Sequence, residues 1–208
     1  LVRGYVKELR SLQPQGPYYL SGFCFGGLAA LEAARQLSEI GETVAFVGMI
    51  QTTCPAAEPF PPGMSGFSRK WYSTKKRIEL EWENFRYRGM GHLGERIRRV
   101  LDVIGARVLI AFDDCRRSSH ADRKSRSMAY ILERLAMEHD RIYDAYTPKT
   151  YSGEVVLFRT RHQLPGFKGD RTLGWNHLLG ANLVVRDVPG HQQNVLTRPH
   201  VEVLAKEF

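Results

Sequence analysis

The stretch Tyr18-Tyr19-Leu20-Ser21-Gly22-Phe23-Cys24-Phe25-Gly26-Gly27 runs an apolar strand directly into a G-x-C-x-G turn and then into an alanine-rich helix. This is the pattern of a nucleophile elbow, with cysteine where serine is usual, so Cys24 is the candidate nucleophile. Glycines are expected on both sides because strand and helix pack so closely that a Cβ at Gly22 or Gly26 would have no room. The helix that follows points unpaired amides and its positive dipole end at the sulfur, which favours thiolate over thiol. The Phe25 N–H is then placed to act as one oxyanion donor. A buried structural cysteine is the competing reading, since G-x-C-x-G is a short pattern. The context favours the elbow: a strand before it, the helix from Leu28 to Leu37 after it, and a second strand beyond.

With those residues in view, the stretch from Gln13 to Leu37 resembles the nucleophile region of the thioesterase domains that terminate nonribosomal peptide synthetases and polyketide synthases. Later blocks are similar to the carboxyl half of the same family, in order and spacing. They are Asp144 to Arg159, then Leu173-Gly174-Trp175, then Val188-Pro189-Gly190-His191, then Arg198-Pro199-His200-Val201. The middle, about residues 60 to 130, matches only in being the family's variable lid. The resemblance implies an α/β-hydrolase fold with a mostly parallel sheet and an inserted helical lid, about residues 60 to 145 of a thioesterase domain spanning 1–208. It also implies an acyl or peptidyl chain delivered as a thioester on the 4′-phosphopantetheine of an upstream carrier protein, with no cofactor bound directly. Members with cysteine elbows are associated with strained rings, including four-membered lactones and lactams (β-lactones and β-lactams).

Length and composition agree. With 208 residues, 43% of them hydrophobic and 25% charged, the chain has the make-up of one soluble domain with a single core. No apolar run approaches the ~20 residues of a membrane span, so no membrane association is expected. No leader is recognisable. Cys24, Cys54 and Cys115 form no metal-binding spacing and cannot all pair, which reads as a cytoplasmic chain with reduced thiols. The net charge of +8 comes largely from Arg96, Arg98, Arg99, Arg116, Arg117, Arg123, Lys124 and Arg126. This patch lacks base-reading motifs and interleaved aromatics, so nucleic acid is not the expected partner. An acidic carrier protein, as the resemblance implies, and a merely solvated arginine-rich surface both remain.

Periodicity predicts helix 1–12, strand 17–22, helix 26–39, strand 43–50, a Pro-rich loop 54–66 and helices within 67–104 and 126–145. Strand 153–160, a short helix near 172–179, strand 182–187 and a closing helix 198–207 follow. Strands alternating with helices argue for a parallel α/β sheet. In the family several strands precede the first helix, and their loop contributes a second oxyanion amide; the expectation is a domain represented in part, from the carboxyl end of a larger synthetase.

The rest of the catalytic machinery departs from the family twice. The strand Val44 to Ile50 ends where these thioesterases place the triad aspartate, and Gln51 stands there. Losing that carboxylate costs a serine enzyme about 10⁴ in rate, whereas a cysteine nucleophile tolerates a neutral amide. Gln51 is therefore expected to orient a histidine through its side-chain oxygen. The alternative is that Asp170 supplies the carboxylate in the chain order Ser, Asp, His, unless it only forms a turn. The second departure is the base: counting back from Pro199 and Val201, the family's catalytic histidine falls at Gln192, and His191 lies one residue earlier. His191 is the expected base, with His162 and His177 in reserve.

A cysteine elbow suits acyl transfer, because the acyl chain moves from one thioester to another and keeps its activation; release then follows by cyclisation or hydrolysis. The other reading is a degenerate thioesterase-like domain retained for carrier docking, which Gln51 and Gln192 favour and the intact thiol elbow disfavours.

Overall fold

The structure is a computed structural model that describes residues 1–55, 57, 63, 65–68, 71, 74–75, 78, 91–116, 128–163 and 170–208. Its main elements, in chain order, are α1 (Val2–Leu12), β1 (Tyr18–Phe23), α2 (Phe25–Glu39), β2 (Val44–Ile50), α3 (Gly91–Arg116), α4 (Met128–Ala145), β3 (Val155–His162), α5 (Asn176–Leu179), β4 (Leu183–His191) and α6 (His200–Glu207). Leu1–Ile78 together with Thr147–Phe208 form one compact unit, and Glu79–Tyr146 form a second.

The first unit carries a four-stranded sheet in the order β1-β2-β3-β4, parallel throughout. Strands of a parallel sheet covered on both faces read as continuous apolar runs rather than alternating ones. β3 shows this directly: Val155, Val156, Leu157 and Phe158 are all buried. On one side Ala33 and Leu37 of α2 pack with Tyr18 and with Val6 of α1. Elsewhere Leu204 of α6 joins Ile50, Val156, Phe158, Val188 and Val195. The Phe208 ring closes this second cluster, stacking on Phe158 with centroids 4.6 Å apart.

The expected α/β fold with a parallel sheet is therefore present. β4 runs further than its expected end at 187, carrying the strand to His191. In the second unit, α3 passes through Gly105 and beyond the expected end at 104, because Ala106 and Ile110 are buried against Tyr130 of α4. Tertiary burial there outweighs the roughly 1 kcal/mol that a glycine costs inside a helix.

Because the strands are parallel, their carboxyl ends share one edge of the sheet, where ligands of open α/β sheets bind. Cys24 follows β1, Gln51 follows β2, Gln163 follows β3 and Gln192 follows β4. Three glutamines and one cysteine thus occupy the four strand ends.

Candidate active site

Cys24 has φ 52° and ψ −117°, a backbone conformation that costs a non-glycine residue of order 1–3 kcal/mol and persists only when its surroundings fix it. They do so here. The Cys24 N–H donates to the Ile50 carbonyl at 2.9 Å, and the Cys24 carbonyl accepts from the Gly27 N–H at 3.1 Å and from Thr52 Oγ1 at 3.0 Å. The turn is thereby tied to the end of β2. Phe25 opens α2, so its N–H belongs to the first helical turn. The side chain of Cys24 is half-buried.

The crowding expected around the turn is only half where the motif suggests. A Cβ at Gly22 would lie 2.2 Å from the Gly26 backbone, as expected, but a Cβ at Gly26 itself meets nothing within 4 Å. The second crowded glycine is Gly27, whose Cβ would lie 2.0 Å from Thr52 Oγ1 and 2.9 Å from the Gly22 carbonyl oxygen. The residue that limits the helix side of the elbow is therefore Thr52, which stands after β2 and lies outside the motif.

Gln192, in the turn after β4, points its side-chain amide at the nucleophile: Nε2 donates to Cys24 Sγ at 3.3 Å. The position that counting assigns to the family's histidine is thus the one that reaches the sulfur, and it holds a carboxamide. His191, the expected base, is fully buried at the end of β4. Its N–H donates to Asn194 Oδ1 at 2.7 Å, and its Nδ1 accepts the Gln193 N–H at 3.1 Å. A ring nitrogen that accepts a backbone N–H carries no proton, so a neutral His191 holds its proton on Nε2. In a catalytic triad the arrangement is the reverse, with Nδ1 protonated toward the acid and Nε2 free to take the nucleophile's proton.

Gln51 is buried with φ 48°, and its amide is taken up by β3 and the residue after it. Its Oε1 accepts from Thr160 N–H and Thr160 Oγ1, both at 2.9 Å, while its Nε2 donates to Gln163 Oε1 at 2.7 Å. Gln163 also donates back to Gln51 Oε1 at 3.3 Å and to the Thr160 carbonyl. The expectation that the Gln51 oxygen orients a histidine is corrected: that oxygen completes the hydrogen bonding of Thr160. The physical reason is that an acceptor without charge is drawn to buried donors, and β3 presents two of them at this point.

Asp170 is likewise committed. Its Oδ1 accepts from the Thr172 N–H at 2.8 Å and Thr172 Oγ1 at 2.6 Å, and its Oδ2 accepts from the Gly174 N–H at 2.7 Å. Partial burial pushes its carboxyl up, but the Thr172 and Gly174 hydrogen bonds and the Arg159 charge outweigh that and hold it below its ordinary value. These contacts build a turn, with Leu173 at φ 49°, and do not reach a histidine. The turn in turn supports the site, since Cys54 N–H donates to the Leu173 carbonyl and Trp175 Nε1 donates to the Thr52 carbonyl, both at 2.9 Å. His162 and His177 are exposed.

No local sequence pattern marks Thr52, Thr160, Gln163 or Asn194, whose partners lie on other strand ends or turns. Of the basic cluster, Arg117, Arg123, Lys124 and Arg126 lie outside the described residues. Among the described residues no helix is long and apolar enough to cross a membrane.

Residues 1–60 match the family described as Thioesterase domain. A non-reducing polyketide synthase of Pseudevernia furfuracea is 47% identical over 55 residues, 26% of this chain and 3% of that protein. Atromentin synthetase of Tapinella panuoides is 42% identical over 50 residues, 24% of this chain and 5% of that protein. The chain thus spans only a few per cent of the length of these relatives. Among solved structures, a four-domain nonribosomal peptide synthetase bound to AMP and glycine aligns with TM-score 0.62 and 20% identity, over 99% of this chain and 15% of that one. The NocB thioesterase domain, in covalent complex with a fluorophosphonate nocardicin G analogue, aligns with TM-score 0.59 and 23% identity, over 99% and 70% respectively. What this chain shares with these structures is the α/β fold.

Proposed function

We propose that this chain is the chain-releasing thioesterase portion of a larger nonribosomal peptide or polyketide synthetase. In this reading Cys24 takes an acyl or peptidyl chain from the phosphopantetheine of a carrier protein and releases it by cyclisation or hydrolysis. The observation that carries the reading is the strained Cys24 backbone at the head of α2, fixed by Ile50, Gly27 and Thr52. Such strain is kept where a side chain must be presented to a reacting group. The match of residues 1–60 to the thioesterase family supports it.

The first step needs little help. The Cys24 thiolate attacks the thioester carbonyl, a new C–S bond forms, the pantetheine C–S bond breaks, and the pantetheine thiolate leaves. One thioester replaces another, so the step is close to isoenergetic and the chain stays activated. The Phe25 N–H faces the developing oxyanion in this reading.

A second reading, a degenerate domain kept for carrier docking, draws on the carboxamides at positions 51 and 192. Thiol release from an N-acetylcysteamine thioester separates the two. The enzymatic reading expects release that Cys24→Ala abolishes, and equal rates for the two proteins would leave only the docking role.

A further inference from the structure

We infer that Gln192 makes the Cys24 site selective for an amine acceptor over water; this rests on the acyl-transfer reading above. The side chain hydrogen-bonded to the sulfur is a carboxamide, with Nε2 3.3 Å from Sγ. A carboxamide neither takes nor gives up a proton near neutrality, whichever of its atoms faces the thiol. The neighbouring groups are fixed elsewhere. Gln51 is held by Thr160 and Gln163, Asp170 by Thr172 and Gly174, and the Nδ1 of His191 by the Gln193 N–H. Among the described residues, the side chain at the sulfur therefore holds it without supplying a general base to whatever attacks the acyl group.

The two acceptor classes differ in what they need. Water attacking the Cys24 thioester must lose a proton as its C–O bond forms, and a general base typically supplies 10²–10⁴-fold to such a step. An amine arrives as the free base. Its C–N bond forms, the C–S bond to Cys24 breaks, Cys24 leaves as thiolate, and the ammonium proton passes to that thiolate or to solvent. The Gln192 N–H donates to the sulfur at both ends of the cycle, when it is the attacking thiolate and when it is the leaving one. That is a catalytic role for Gln192 without proton transfer.

The test follows acyl-Cys24 by intact-protein mass spectrometry after a single addition of octanoyl N-acetylcysteamine thioester. Acyl-protein is then chased in buffer alone, or with glycinamide, between pH 6 and 9. The expected result is a long-lived acyl-protein in buffer whose lifetime shortens in proportion to the free-amine fraction, with no inflection near the ordinary histidine value of about 6.5. Gln192→His, which places a base at the sulfur, is expected to speed hydrolysis by at least ~10²-fold and to introduce that inflection. Gln192→Ala is expected to slow acylation and leave hydrolysis slow. Rapid wild-type hydrolysis with a histidine inflection that His191→Ala removes would overturn the inference and leave the acyl-transfer reading standing. A folded Gln192→His protein that hydrolyses no faster would overturn it as well. Absence of any acyl-protein in the wild type would overturn both.

Discussion

The Gln192 side-chain amide lies 3.3 Å from the Cys24 sulfur, joining the turn after β4 to the elbow after β1. Parallel pairing of four strands brings these residues together although they are 168 positions apart in the chain. The contact gives the thiol a hydrogen-bond donor at the place where a histidine would give it a base.

The elbow glycines are expected to separate by position. Gly22→Ala drives a Cβ into the Gly26 backbone at 2.2 Å and should cost more than about 2 kcal/mol, with loss of Cys24 reactivity. Gly26→Ala enters open space within a helix and should be neutral or stabilising by up to about 1 kcal/mol. Denaturant unfolding of both variants checks the pair; equal destabilisation would contradict the described turn.

Gln51→Ala should destabilise the fold by about 1–3 kcal/mol, because it removes the acceptor of the buried Thr160 N–H and the donor to Gln163 Oε1. It should leave the acylation rate of the folded protein nearly unchanged. Gln51→Asp should not create a triad, since the shorter carboxylate faces the same β3 donors. Acylation rates measured beside unfolding curves distinguish a stability role from a catalytic one.

Asp170 sets a pH dependence of stability. Its carboxyl is held below the ordinary 3.8 in the folded chain, so the folded state favours the charged form. That stabilisation is present in full above the unfolded value and is lost as pH falls through the lower folded value. The difference in melting temperature between wild type and Asp170→Asn should therefore be largest at neutral pH and shrink below about pH 4. Asp170→Asn should alter neutral-pH acylation far less than Cys24→Ala does.

What the sequence disclosed and what it hid follow from distance along the chain. The strand, elbow and helix at 18–39 are contiguous, and their glycines and apolar spacing are local signals, so Cys24 stood out at once. The order of alternating elements likewise implied the parallel sheet. The role of Gln51 was hidden because its amide partner Gln163 is 112 residues away. Gly27 gave no sign of being the crowded glycine, because the atom that crowds it, Thr52 Oγ1, comes from the next strand end. Counting could place Gln192 at the family's histidine position, but only the folded β4 shows that its amide reaches the thiol while the ring of His191 is buried.

Thiol reactivity should rank in the same order as the elbow geometry. Limiting iodoacetamide at pH 7 should label the half-exposed Cys24 before the buried Cys54, read by peptide mapping. A Gln192→Ala variant should label more slowly at Cys24, since it loses the donor to the sulfur.

Whether Cys24 is the acyl acceptor is decided by peptide mapping of the protein after a single addition of octanoyl N-acetylcysteamine thioester, before the acyl group is discharged. A single acyl adduct is expected on the peptide that contains Cys24, lost in Cys24→Ala. An adduct that persists in Cys24→Ala, or that sits on another residue of the wild type, would contradict that assignment.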